Sequence, residues 1–225
     1  MLKLSHFHPS LCPIRTWGLV YLILGWLFGL LSPSIIDRIN QSYSIKQLLN
    51  GIKTEMKECQ FRAVLIAYLL GIRYGKYDRD FLMWCRLYIS KYQGLEPTEK
   101  YIDAIDYLVK MKDEDLKNRL DTKRSLEKRR GLNLKKLNLP FLNSKIGEVS
   151  CFSIELQNII FEIKSRLELI NEEIDTALSY FHMTFDASIS NENYSTLVQK
   201  YIELQAYLIT LVKKMDHCIE YRKKI

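Results

Sequence analysis

An uncharged apolar stretch from Thr16 to Ile36 constrains this chain more than any other feature. Its centre reads WGLVYLILGWLFGLL. A helix of about 20 apolar residues crosses the ~30 Å hydrocarbon core of a bilayer. Trp17 lies at one edge of the stretch, where interfacial tryptophans anchor membrane helices. The sequence therefore predicts a single transmembrane anchor over residues 16–36, preceded by an N-terminal tail over residues 1–15.

A cleaved signal peptide is the main alternative to an anchor. Arg15 precedes the apolar region, and Ser32 and Ser34 suit the small-residue positions of a cleavage site. Pro33 lies between those serines, and both the tail and the apolar region are long for a signal peptide. These features favour the anchor, and a buried core helix is the remaining interpretation.

Glycines recur on one side of the predicted anchor. Gly25 and Gly29 form a G-x-x-x-G pair, and Gly18 lies seven residues earlier on nearly the same helix face. Small residues at this spacing allow two membrane helices to approach closely. The pattern predicts helix–helix packing in the membrane.

Basic residues near the anchor indicate its orientation. Lys3 and Arg15 precede it, whereas more basic residues follow it: Arg38, Lys46, Lys53 and Lys57. Cytoplasmic flanks carry the excess of Lys and Arg. We therefore expect a single-pass protein of a bacterial inner membrane, with its C-terminal body in the cytoplasm.

Three amphipathic helices predict a small helical bundle over residues 44–112. Ser44 and Gln47 make a capping box at the start of the first helix. Asp78 suits the N-cap of the second helix, and Pro97 suits the first position of the third. The predicted helices cover residues 45–70, 79–92 and 97–111.

Two long apolar stripes predict an antiparallel, coiled-coil-like helical hairpin over residues 148–225. The first stripe runs from Phe152 to Phe181 and the second from Tyr194 to Cys218, both in steps of three or four residues. A short polar break separates them. With the anchor and the bundle, these stripes predict an all-α fold.

The second hairpin helix has a further apolar edge that a two-helix hairpin cannot bury. Its members flank the main stripe: Val198, Ile202, Ile209, Val212 and Ile219. We expect this edge to contact either the chain's own bundle or a helix of a partner protein.

The five cysteines do not form a C-x-x-C pair, so no zinc ribbon or redox motif is indicated. In the predicted hairpin, Cys151 and Cys218 lie roughly 13 Å apart along the helix axis, at 1.5 Å per residue. In the predicted bundle, Cys59 and Cys85 are about 9 Å out of register. A disulfide needs Cα atoms within about 7 Å, so free thiols and a reducing compartment are expected.

The positive charge is concentrated in one segment of the predicted linker over residues 113–147. Residues 117–136 hold nine Lys and Arg against two acidic residues, which equals the net charge of the whole chain, +7. The basic residues expected to make contacts are Lys123, Arg124, Lys128, Arg129, Arg130, Lys135 and Lys136. Leucines then alternate with polar residues from Leu132 to Leu142, which predicts an extended linker with an exposed apolar side.

The partner of this basic segment has three interpretations. Anionic lipid or an acidic protein surface fits the charges and the leucines. Nucleic acid is disfavoured because the segment has no aromatic residue and no nucleic-acid-binding signature. A basic helix and linker that contact only water are the third interpretation.

Motifs of common enzymes and metal sites do not occur in the sequence. There is no P-loop, no G-x-G-x-x-G, no H-E-x-x-H and no G-x-S-x-G. The histidines do not lie at metal-ligand spacing within the helical body. We therefore expect no catalytic residues, no cofactor and no metal.

The predicted anchor, the apolar edge of the second hairpin helix and the basic segment together indicate a function. We expect a non-enzymatic structural or adaptor subunit of a multiprotein membrane complex, of the secretion or envelope assembly type, that acts through helix–helix contacts with other subunits. The alternatives are a secreted or periplasmic helical protein with a cleaved signal peptide, and an enzyme with an unrecognised site.

Overall fold

The computed structural model describes residues 13–75, 77–94, 96–126, 132–185 and 190–221. Over these ranges the chain is helical and contains no strand, so the predicted all-α class is confirmed. A 3-10 helix covers Ile146–Cys151. The α-helices are α1 Pro13–Arg73, α2 Arg79–Lys91, α3 Glu99–Val109, α4 Asp113–Leu126, α5 Pro140–Ser144, α6 Ile154–Met183 and α7 Ser190–Glu220.

Helix α1 is continuous for 61 residues, whereas the sequence predicted a new helix beginning at Ser44. No glycine or proline occurs from Ser34 to Asn50, so nothing in this stretch interrupts the helix. The capping-box residues therefore lie within the helix. Pro33 also lies inside α1, although proline removes one backbone hydrogen bond there.

The chain divides into two compact units, Met1–Leu48 and Leu49–Ile225. The first contains the apolar part of α1. The second contains the predicted bundle, linker and hairpin, which the sequence had separated at residues 112 and 147. These three segments therefore share one core.

The end of α1 supplies the centre of that second core. Its buried face recurs at helical spacing and comprises Ile52, Met56, Ala63, Val64, Ala67 and Leu70. Helix α7 packs on this part of α1, because Gln60 donates a hydrogen bond to Asp216 at 2.9 Å. The ring of Tyr74, directly after α1, also lies 4.8 Å from the ring of Tyr201 of α7.

Helices α2, α3 and α4 each contribute buried side chains, among them Leu82, Ile105 and Leu116. Asp78 caps α2 by accepting a hydrogen bond from the N–H of Phe81 at 2.7 Å, which confirms the predicted N-cap. Arg86 of α2 pairs with Asp106 of α3. Helix α3 begins at Glu99 after the N-cap Thr98, rather than at Pro97 as predicted.

Helices α6 and α7 pack along much of their length. Lys214 pairs with Glu162 at 2.8 Å and Lys200 pairs with Glu173 at 3.2 Å, so the two helices run in opposite directions. The predicted stripe of α7 is buried from Leu197 to Cys218. Ser153 begins α6 as its N-cap, with its hydroxyl accepting from the N–H of Leu156.

Candidate anchor and interaction surfaces

The apolar part of α1 is exposed around the whole helix. Residues 20–29 are all exposed, and this run covers nearly three helical turns. Its large apolar members include Leu22, 74% exposed, and Phe28, 70% exposed. This one helix, near the N-terminus, is long and apolar enough to cross a membrane. The side chain of Trp17, the predicted interfacial anchor, lies outside the described residues.

The predicted glycine face of α1 is open. A Cβ atom added at Gly18, Gly25 or Gly29 would meet no described atom within 4 Å. These glycines therefore leave room for a neighbouring helix, and no described part of the chain occupies it.

The same face of α1 continues with large apolar side chains beyond the predicted span. At about 100° per residue, Ile36, Ile39 and Tyr43 fall within a stripe about 80° wide that also contains the three glycines. These side chains are 52%, 62% and 63% exposed. Sequence reasoning missed this extension, although its three- and four-residue spacing is visible past the charged residues Asp37 and Arg38.

The apolar edge of α7 lies against the chain's own helices. Val212 is fully buried, and Val198, Ile202, Ile209 and Ile219 are half-buried. Between these positions, Asp216 accepts hydrogen bonds from Gln60 of α1 and from the Tyr88 hydroxyl of α2. Around Val212 and Asp216, this edge therefore packs on the chain's own bundle, and contact with a partner helix stays a prediction.

A polar network fixes the C-terminal end of α7. Gln60 also donates to the backbone carbonyl of Val212 at 3.1 Å, and Lys53 donates to the carbonyl of Tyr221 at 2.5 Å. Burial, followed by the hydrogen bond to Asp216, raises the pKa of Tyr88. The phenol of Tyr88 therefore stays neutral and donates to Asp216. These hydrogen bonds connect α1, α2 and α7 and have a structural role.

The predicted basic contact residues are only partly described. Lys123 and Arg124 lie in α4, but their side chains are outside the described residues, as are Lys128, Arg129 and Arg130 entirely. Lys135 and Lys136 are exposed, and Lys136 pairs with Asp175 of α6 at 2.7 Å. The described part therefore shows the end of the basic segment lying along α6.

The predicted exposed leucines are instead buried. We call residues 132–139 the leucine strap, because they form no helix and lie across other helices. Leu134, Leu137 and Leu139 are at most 7% exposed, and Leu142, just beyond the strap, is fully buried. Burying alternate leucines removes apolar area from water, so this surface is not offered to lipid.

Polar side chains from other helices hold the leucine strap. Tyr201 of α7 bonds to both backbone groups of Leu132, accepting from its N–H at 2.9 Å and donating to its carbonyl at 3.1 Å. Glu55 of α1 accepts from the N–H groups of Phe141 and Leu142 at the start of α5. Sequence reasoning missed these partners, since their only signal was a polar residue on a helix face that packs inward.

The described cysteines and carboxylates do not form a reactive or metal-binding group. Among the described residues, no three His, Cys, Asp or Glu side chains are placed to hold a metal ion. Cys59, Cys85 and Cys218 are buried free thiols. Burial raises the pKa of Cys59 to about 12 and that of Cys218 to about 11, which keeps both thiols neutral and poorly nucleophilic.

Comparisons of the chain with protein-family models, curated proteins and solved structures find no match.

Proposed function

We infer that this protein is a membrane-anchored, non-enzymatic adaptor subunit of a multiprotein membrane complex, of the secretion or envelope assembly type. It acts through helix–helix contacts from a bacterial inner membrane, with its C-terminal body in the cytoplasm. The observation that carries this proposal is the complete exposure of residues 20–29 of α1.

The exposed apolar side chains of α1 would be costly to leave in water. Eight large apolar side chains between Val20 and Phe28 are more than 40% exposed. Burying a large apolar side chain is worth roughly 1.5–3 kcal/mol, so leaving eight in water forgoes on the order of 10–20 kcal/mol. That amount rivals the stability of a whole domain. A bilayer supplies the missing apolar surroundings.

The adaptor part of the proposal rests on the open face of α1. Gly18, Gly25 and Gly29 leave space beside the helix, and Ile36, Ile39 and Tyr43 extend the same face with exposed apolar area. In a bilayer the hydrophobic effect does not drive helices together, because lipid tails are as apolar as the side chains. Helix association therefore depends on close van der Waals packing, which small residues allow. We assign the principal partner contact to this face of α1.

Two further surfaces have secondary roles in the proposal. Val212 of the α7 edge is already buried within the chain. Only the half-buried members of this edge, such as Ile202 and Ile209, have area left for a partner, so this contact is small. The basic residues from Lys123 to Lys136 contact anionic lipid or an acidic protein surface. Helices α6 and α7 serve as a coiled-coil-like hairpin that supports these surfaces.

Purification of the full chain from membranes in a mild detergent tests the proposal. We expect defined partner proteins to co-purify in constant proportion. The double variant Gly25→Leu/Gly29→Leu fills the open face and should lose them. The matched control Ile23→Phe/Leu27→Phe adds bulk on the opposite face and should keep them. A monodisperse monomer without partners, or equal behaviour of both variants, would contradict the proposal.

A further inference from the structure

A groove on the second unit lies between α1, the end of α2 and the leucine strap. It has a volume of about 790 Å³, within the range of ligand sites in proteins. Its lining includes Lys57 and Arg62 of α1, Lys91 and Tyr92 at the end of α2, and Leu137 and Phe141. Lys57, Lys91 and Tyr92 also line an adjacent cavity of about 220 Å³, which Asp216 and Glu220 of α7 line as well. We call the larger of these the basic groove.

Both carboxylates in the basic groove already accept hydrogen bonds from the chain. Glu55 accepts from the N–H groups of Phe141 at 2.6 Å and Leu142 at 2.8 Å. Glu58 accepts from Arg62 Nε at 3.0 Å and from the Tyr92 hydroxyl. The acceptor oxygens on the groove wall are therefore occupied by internal donors.

The lysines of the basic groove are not occupied in this way. Within the described ranges, Lys57 forms no hydrogen bond and no ion pair. Lys91 has one described interaction, its ammonium lying 5.1 Å from the centroid of the Tyr88 ring. The lining carries three cations against the two carboxylates, and Arg62 is paired with Glu58. Both ammonium groups therefore retain donors, and a carboxylate of an added ligand is the acceptor that suits them.

Apolar groups lie beside these cations. Leu137, Pro140, Phe141 and the ring of Tyr92 line the same groove, and the Tyr92 ring is fixed by stacking on Phe61 at 3.9 Å. These are separate, short apolar surfaces interspersed with charged side chains. They suit individual side chains of a peptide better than a continuous acyl chain.

We propose that the basic groove binds an acidic peptide segment of a partner subunit, with its carboxylates on Lys57 and Lys91 and an adjacent apolar side chain against Tyr92 and Phe141. The proposal rests on the adaptor function above, and it names the chemistry of one contact. Because the groove belongs to the second unit, it is separate from the open face of α1.

Fluorescence anisotropy on the full chain in non-ionic detergent tests the groove. The probe is a fluorescein-labelled peptide of alternating glutamate and leucine. We expect Lys57→Glu/Lys91→Glu to weaken binding about tenfold or more, corresponding to the loss of two charge-assisted contacts. Lys100→Glu/Lys112→Glu changes the net charge equally, at exposed lysines that do not line the groove, and should bind like the unaltered protein.

Three results would overturn the proposal. One is equal weakening by both double variants, which indicates long-range charge only. Another is unchanged binding by Lys57→Gln/Lys91→Gln, a pair that removes both charges without reversing them and so guards against misfolding. The third is Lys57- and Lys91-dependent binding of phosphatidylglycerol in mixed micelles without binding of the peptide, which assigns the groove to lipid. Loss of the groove contact alone leaves partner co-purification through α1 intact, so the two proposals fail separately.

Discussion

The side-chain amide of Asn171 pairs with both backbone polar groups of Leu137. Its oxygen accepts from the Leu137 N–H at 2.9 Å, and its nitrogen donates to the Leu137 carbonyl at 2.8 Å. Leu137 is buried, so these backbone groups need partners within the protein. The Asn171 side chain thus supplies to Leu137 the two backbone hydrogen bonds that a neighbouring strand would otherwise supply to an extended segment.

The first prediction concerns this pair. Asn171→Ala leaves two backbone groups of a buried residue without their partner, which costs about 1–3 kcal/mol. We expect a corresponding fall in the free energy of unfolding, measured by urea titration of the full chain in mild detergent with circular dichroism. Asn158→Ala, at an exposed position on the same helix, is the control and should change stability little. Equal stability of the two variants would show that Asn171 does not hold the strap.

Gly71 permits close contact between α1, α2 and α7. A Cβ atom there would lie 2.6 Å from Phe81 Cε1 and 2.7 Å from Gln205 Nε2. Overpacking costs about 1–3 kcal/mol, and the better helix propensity of alanine returns about 1 kcal/mol. We therefore expect Gly71→Ala to destabilise the fold by about 1 kcal/mol net in the same urea assay. Gly147→Ala, where a Cβ would meet nothing within 4 Å, serves as the control, and identical midpoints would refute the contact.

The buried thiols should resist alkylation while the protein is folded. With a pKa of about 12, Cys59 is roughly one part in ten thousand thiolate at pH 8. In a Cys12→Ser/Cys151→Ser variant, we expect no N-ethylmaleimide adduct at pH 8 by mass spectrometry, and three adducts in urea.

The same raised pKa values predict the direction of the pH dependence. A neutral thiol is favoured in the fold, so its contribution is complete below the unfolded pKa of about 8.5 and is lost as pH rises through the folded value. Stability should therefore fall as pH rises from about 9 toward 12.

In the alkylation experiment, rapid labelling of these thiols in the folded protein at pH 8 would contradict the described burial.

Orientation in the membrane can be read from two cysteines. Cys12 precedes the span, and a Ser179→Cys substitution places a thiol at an exposed position of α6. In a Cys151→Ser background, a membrane-impermeant maleimide applied to spheroplasts should label Cys12 and should label position 179 only after lysis. The opposite pattern would place the C-terminal body outside the cytoplasm.

Local sequence patterns predicted the long helices because the physical causes of those helices are local. They missed α4 and α5, which lie within the predicted linker over residues 113–147. The apolar composition around Leu22, the cap at Asp78 and the period from Leu197 to Cys218 each depend on residues a few positions apart. The beginning of a helix at Ser44 was wrong for a related reason. A capping box is compatible with a helix interior when no residue before it breaks the helix.

The leucine strap shows what the local pattern leaves out. Alternating leucines correctly indicated an extended segment over residues 132–139, but the same pattern runs on into α5, where the chain is helical. The burial of the leucines depends on contacts distant in sequence. Asn171 is 34 positions from Leu137, and Glu55 is 86 positions from Phe141. The basic groove has the same origin, since Lys57, Lys91 and Phe141 line it from three segments that are distant in sequence. The glycine face of α1, by contrast, was visible from spacing alone.

Retention of the apolar segment in the mature protein is the central claim, and intact mass after membrane fractionation tests it most directly. The protein should remain in the membrane pellet after an alkaline carbonate wash, and its mass should include residues 1–34. Release into the soluble fraction with a mass that begins near Ile35 would contradict the account, because it would identify the apolar segment as a cleaved signal peptide.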